Sequence, residues 1–125
     1  MAVATAIDSA GVVYTTVLSD INTIAVFAID NRGDLVGTYS FRESTTGAIL
    51  SDPKVAVDTS DNIYISANRT IGSITDVVVA KINGWSQYIS GVSSNNVSQA
   101  DIKTNSNNEV IVVYQTDYEI GRAHV

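Results

Sequence analysis

The chain has 125 residues, 45% apolar and 16% charged, and its 13 acidic and 7 basic side chains give a net charge of −6. That is enough apolar material for one folded domain rather than a disordered segment, and an acidic chain without a Lys/Arg cluster is a poor match for nucleic acid or an anionic lipid surface. The absence of cysteine removes disulfides and thiolate metal sites, no apolar run reaches the roughly 18–20 residues of a membrane span, and the start lacks the pattern of a signal peptide.

In chain order, the first segment, Ala4 to Thr16, reads as a hairpin with β-branched residues on either side of Ser9-Ala-Gly11. A third strand is predicted at Ile24–Ile29, a turn at Asp30–Asp34, and a fourth strand at Leu35–Phe41. The polar connector 42–52 then leads through Pro53 into a second copy. Its elements are Lys54–Asp58, the turn Thr59–Asn62, Ile63–Ser66, a polar spacer, Asp76–Ile82, the hairpin signal Asn83-Gly84, and Trp85–Ile89. Ala6-Ile-Asp8 and Tyr14 lie 50 residues before Ala56-Val-Asp58 and Tyr64, and Ile29 lies 53 before Ile82. After a second connector, Ser90–Gln99, a third copy starts at Ala100–Lys103 and continues at Val110–Gln115. With Ile102 set on Val57 its period is 45 and its turn is slightly longer, and only two strands are predicted for it. The short apolar runs are too short for stable helices and show little alternation, as strands buried on both faces do.

Units of about 45–50 residues with four short antiparallel strands point to an all-β chain of β-propeller blades. The expected blades are residues 3–41, 53–89 and a partial one at 100–115. Small twisted sheets of this kind bury both faces only by stacking on one another. Neighbouring blades, or self-association through the open end faces, are therefore expected as partners. A β-sandwich is the rival fold, and the spacing-50 match argues for blades.

Ala56-Val-Asp-Thr-Ser-Asp-Asn-Ile-Tyr-Ile-Ser66 followed by Asp76-Val-Val-Val-Ala-Lys-Ile-Asn83 resembles the SBBP-type propeller repeat, roughly A-V-D-x-x-G-N-V-Y-V-T-G and then D-x-F-V-A-K-L-N. Asp61 replaces the usual glycine, Val78 replaces a frequent aromatic residue, and the first copy keeps only Ala25 to Asp30 of the second motif. The resemblance implies a non-enzymatic binding or structural scaffold from a larger extracellular, cell-surface or virion protein, with no catalytic residues, no cofactor and no metal. Ile120-Gly-Arg-Ala-His-Val125 resembles the translated start of a common sequencing adapter, ATC GGA AGA GCA CAC GTC, followed in frame by a stop. Residues 119–125 are accordingly expected to be a non-native tail on a truncated fragment, 1–118, of the kind met in metagenomic sequence.

The single histidine, His124, lies in that tail, so histidine-based triads and histidine metal sites are not expected in 1–118. Arg32, Gly33 and Asp34 spell an integrin-recognition tripeptide at a predicted hairpin tip, where turn chemistry, which calls for Asn, Gly and Asp in any case, is the stronger reading. Asp8, Asp58, Asp61 and Asn62 lack the alternating ligands and terminal acid of a calcium loop and read as turn residues. Asn68 and Asn96 begin formal glycosylation sequons on predicted loops. Tyr14, Tyr39, Tyr64, Tyr88, Tyr114 and Trp85 are assigned to repeat-equivalent packing positions. A sugar-binding platform built from these aromatics is the alternative, and a carboxylate-based glycoside hydrolase with its catalytic blades elsewhere is the enzymatic one.

Overall fold

A computed structural model describes residues 4–90, 96–116 and 120–125. The described residues contain eleven strands: β1 (Ala4–Ile7), β2 (Val13–Asp20), β3 (Thr23–Ile29), β4 (Leu35–Arg42), β5 (Ile49–Val57), β6 (Ile63–Ile71), β7 (Ile74–Lys81), β8 (Ser86–Ile89), β9 (Val97–Thr104), β10 (Val110–Thr116) and β11 (Ile120–His124). They form three antiparallel sheets in simple up-and-down order: β1-β2-β3-β4, β5-β6-β7-β8 and β9-β10-β11. None of the three curls closed on itself. No helix occurs among the described residues, so none there is long and apolar enough to cross a membrane.

The sheets stack face to face, and the middle one is covered on both sides. Tyr14, Ile24, Val26 and Ala28 of the first sheet pack on Val55, Ile63, Ile65, Val78 and Ala80 of the middle sheet. The other face of the middle sheet, Ala56, Tyr64, Val77 and Val79, packs on Val97, Ile102, Val110 and Val112 of the third. Successive strand residues point to opposite faces, so Val77-Val-Val-Ala80 sends side chains alternately into two cores and all four are buried. Each of the three valine burials contributes about 1.5–3 kcal/mol. Edge strand β1 lies against β5, and β5 against β9, while β4 and β8 make no comparable contact among the described residues. The three sheets therefore converge along their first strands.

Four expectations change here. The polar spacer after Ser66 is strand: β6 runs to Ile71, Gly72-Ser73 makes a two-residue turn, and Arg69 lies directly opposite Asp76. Strand β5 begins at Ile49 rather than Lys54, because a bulge between Ser51 and Lys54 places buried Pro53 where no ladder N–H is required. The third repeat is offset from the second by 47 rather than 45. Thr104 pairs with Val110 as Val57 pairs with Ile63, so Ile102 matches Val55 and the two turns are equal in length. Finally, that repeat has three strands rather than two, the first of them beginning at Val97 rather than Ala100. β11 pairs with β10, and Val125 N–H donates to Val110 O as Ile82 N–H does to Ile63 O, both at 2.9 Å. The expected boundary between native chain and tail, at 118 and 119, lies outside the described residues.

Candidate functional site

Alternating strand direction puts the loops at two rims. One rim carries the tight turns at 8–12, 30–34, 58–62 and 105–109, all of one construction. In each, the first residue's N–H donates to the fifth residue's carbonyl and the fourth residue's N–H donates back to the first carbonyl. Three of the leading residues are aspartates, and Oδ1 of each accepts the N–H groups two and four residues on, all at 2.9 Å. Asn105 does the same at 3.0 and 3.1 Å. The fourth residue takes a positive φ: 84° at Gly11, 89° at Gly33, 63° at Asp61 and 60° at Asn108.

Tyr14 and Tyr64 reach back from the following strand to donate to Oδ2 of Asp8 and Asp58, at 3.0 and 2.9 Å. Burial, then the bond to Asp8, pushes the Tyr14 hydroxyl up to about 12, and Tyr64 is raised for the same reasons. Burial works to raise both carboxyls, but the turn amides, the tyrosines and, at Asp58, the Asn62 side chain outweigh it, so both lie below the ordinary value. These acids are occupied in building turns, and no cluster of metal-ligating side chains occurs among the described residues.

Arg32, Gly33 and Asp34 stand at the tip of the β3–β4 turn, as expected. The Arg32 and Asp34 side chains are 79% and 68% exposed and face each other at 3.9 Å, with Asp30 at 3.7 Å from Arg32. Exposed pairs of this kind are worth at most about 1 kcal/mol and open easily.

The opposite rim holds the arrangement that the sequence reading missed. The connector from β4 to β5 folds back on the β2–β3 turn, with Glu43 N–H donating to Asn22 O at 2.9 Å and Leu50 N–H to Ile21 O at 2.7 Å. Glu43 is 1% exposed. Its carboxylate accepts from Thr45 N–H at 3.1 Å, Thr45 Oγ1 at 2.7 Å and the Tyr88 hydroxyl at 3.0 Å. Arg69 approaches Glu43 at 3.8 Å, forks onto Asp76 at 2.8 and 2.7 Å, and lies 3.8 Å over the Tyr88 ring. Ser90 donates to the same Asp76 at 3.3 Å. The bidentate bond from Asp76, strengthened by both nearby carboxylates, raises the Arg69 guanidinium further above its ordinary value. No buried side-chain polar atom among the described residues lacks a partner.

This cluster pins one wall of a bowl of about 580 Å³, lined by Ile21, Asn22 and the connector from Arg42 to Ile49. Hydroxyl, amide and guanidinium groups line it beside Ile21 and Ile49, both exposed. A second recess of about 400 Å³ lies where β1, β5 and β9 converge.

Other sequence candidates fall elsewhere. Asn68 is on strand β6, not in a loop, and its Oδ1 accepts Gln99 N–H at 2.9 Å. Asn96 Oδ1 accepts Thr75 N–H at 2.9 Å. Both sequon asparagines thus stitch the middle sheet to the third, joined by buried Gln99, which bonds Ser66 Oγ and Asp52 O. Among the aromatics only Tyr14 and Tyr64 are equivalent. Tyr39 lies opposite Val26 and Tyr88 opposite Val78, on different faces of their sheets, and Tyr114 leans over Gly121. Trp85 sits in a turn against Tyr64, at 6.0 Å between ring centres. No protein-family profile matches the chain, and neither a curated protein nor a solved structure matches it.

Proposed function

We propose that the chain is a run of propeller-type blades serving as a binding scaffold, with the connector rim as its recognition surface. The observation that carries this is the ionic cluster: Glu43 comes from the connector, Arg69, Asp76 and Tyr88 come from three strands of the middle sheet, and together they hold the bowl's wall in one shape. A preorganised concave surface with a few polar groups and exposed aliphatics is what ligand sites use, because its ordering cost is met during folding. The blade reading is supported by convergence along β1, β5 and β9 and by a middle sheet covered on both faces. It is also supported by the SBBP-like motif, whose usual glycine falls at the left-handed turn position that Asp61 occupies. The buried carboxylates Glu43, Asp58 and Asp76 are engaged in holding backbone or Arg69, which favours a binding role over acid–base catalysis.

A carbohydrate ligand is the more specific reading, favoured by the hydroxyl-bearing wall and by the partly exposed Tyr88 beside it. The test is a glycan array and a random-peptide display library, each probed with the chain and with Ile21→Lys and Arg42→Ala variants. Ligands selected by the chain should be lost in both variants and kept by Ile7→Lys, which alters the convergent edge instead. Ligands insensitive to both rim variants would overturn the assignment of the rim. For the blade reading, a concatenated array of the 49–89 unit should close into a disc of fixed number under the electron microscope, and an open, indefinite stack would contradict it.

A further inference from the structure

The first sheet has a face that belongs to neither core. Val13, Val17, Phe27 and Ile29 share it, at the positions that Ile63, Ala67, Ala80 and Ile82 hold in the middle sheet. The middle sheet buries this face against the first, and the third buries its own equivalent, Ile102, Val110 and Val112, against the middle. Among the described residues this face is covered twice and left open once.

At the other end of the stack, the open face of the third sheet is of different chemistry. Lys103 stands where the middle sheet has Ala56, and Arg122 where it has Val79. Repeating the internal stacking head to tail between two molecules would press these cations onto the apolar face of the first sheet. That face offers no carboxylate away from the strand ends. Burying the Lys103–Asp101 pair, 3.6 Å apart, together with Arg122 would take these charges out of water at a cost of several kcal/mol per ion, on the order of the whole gain from such an interface. Bulk argues the same way, since Val17 and Phe27 replace two alanines and overfill a gap of internal size.

From this contrast we propose that the open face of the first sheet pairs with the same face of a second copy of this chain, giving a two-fold dimer. An isologous contact sets apolar surface on apolar surface and closes after two subunits. The proposal is independent of the ligand reading, because the connector rim stays free in the dimer.

Sedimentation velocity over a concentration series is the test. The chain should run at twice its own mass at micromolar concentration. Phe27→Lys should weaken the dimer about thirtyfold or more, whereas Ile111→Lys on the open face of the third sheet should leave it unchanged. Should Phe27→Lys lose its β-sheet circular dichroism, Thr15→Lys, a polar-to-charged change at the centre of the same face, decides in its place. A monomer throughout the series, a dimer indifferent to lysine on the first sheet, or one dissolved by Ile111→Lys, the mark of head-to-tail stacking, would each overturn the proposal.

Discussion

The middle and third sheets are drawn from one repeat, but their third strands are buried to different extents. In β7, Val77 to Ala80 are all buried, whereas β11 alternates exposed and half-buried from Ile120 to His124. The difference is in the neighbours: β7 has a sheet on either side and β11 has one. An unbroken apolar run therefore reports two covered faces, and alternation reports one. The substitutions follow the same logic. Arg122 stands at the position of Val79 because that face is open, and a side chain at Gly121, the counterpart of Val78, would run into the Tyr114 ring.

Charge should break this comparison most sharply. Asp76→Ala leaves Arg69 buried without its bidentate partner, and urea titration should show a loss of about 3–5 kcal/mol. The third sheet's exposed pair, Lys103 and Asp101 at 3.6 Å, should contribute under about 1 kcal/mol when Asp101→Ala is tested in the same way. Equal losses would mean that the connector is not clamped as described. Core truncation ranks next. Ile65→Ala, at a position with no exposure, should cost about 2–5 kcal/mol, whereas Ile120→Ala, at a residue 75% exposed, should stay within about 0.5 kcal/mol.

The sequence made the hairpins at 8–12 and 58–62 legible because local chemistry alone builds them: an aspartate, a small residue, and a left-handed position before a β-branched strand. It also made the two-sided burial of β7 legible from composition. The beginnings of β5 and β9 were obscured by irregularity. Pro53, with its missing N–H, reads as a strand entrance, although Asp52 before it takes a positive φ and the strand continues beneath as a bulge. The ionic cluster was hidden for a different reason. Arg69, Asp76 and Tyr88 are brought together by strand pairing within the middle sheet, and Glu43 joins them only where the connector meets that sheet. One local signal was present: Arg69 and Asp76 are equidistant from the Gly72-Ser73 turn, which makes them a cross-strand pair once the spacer is read as a hairpin.

Acidity separates the hairpins by a smaller margin. The first two carry Asp8 and Asp58, held below their ordinary value of 3.8, whereas the third carries Asn105, which does not titrate. A depressed folded value means that the stabilisation is present above that pH and is lost as the pH falls through the folded value. Stability should therefore fall below about pH 4, and Asp58→Asn should flatten that limb. At the alkaline end Tyr14, raised to about 12, keeps its contribution below pH 10, and that contribution is lost as the pH rises towards 12. Tyr14→Phe should remove its part of that loss, and no such pair exists in the third hairpin, where Ile111 matches Tyr64. Denaturant titrations from pH 2.5 to 12 would reveal both limbs.

The smallest effect concerns the left-handed turn position, where glycine carries no steric cost and other residues are disfavoured by about 1 kcal/mol. Gly11 opens the series, while Asp61 and Asn108 occupy the same position in the next two turns and use their side chains to reach the preceding turn. Ser9 donates to Asp61 at 3.3 Å, and Thr59 donates to Asn108 Oδ1 through both its N–H, at 3.0 Å, and its hydroxyl, with Asn108 returning a bond to Ser60 at 3.3 Å. Asp61 accepts one long exposed bond in compensation for its strain. Asn108 makes three, and asparagine tolerates the left-handed region better than most residues. Replacement by glycine should therefore have opposite signs at the two sites. Asp61→Gly should gain up to about 1 kcal/mol, whereas Asn108→Gly should lose about 0.5–1.5 kcal/mol as the Thr59 contacts disappear. If both substitutions stabilise, strain alone governs these turns and the bridging bonds contribute nothing to stacking. If Asn108→Gly destabilises while Asp61→Gly does not, the row of side chains along this rim helps to hold the third sheet to the middle one.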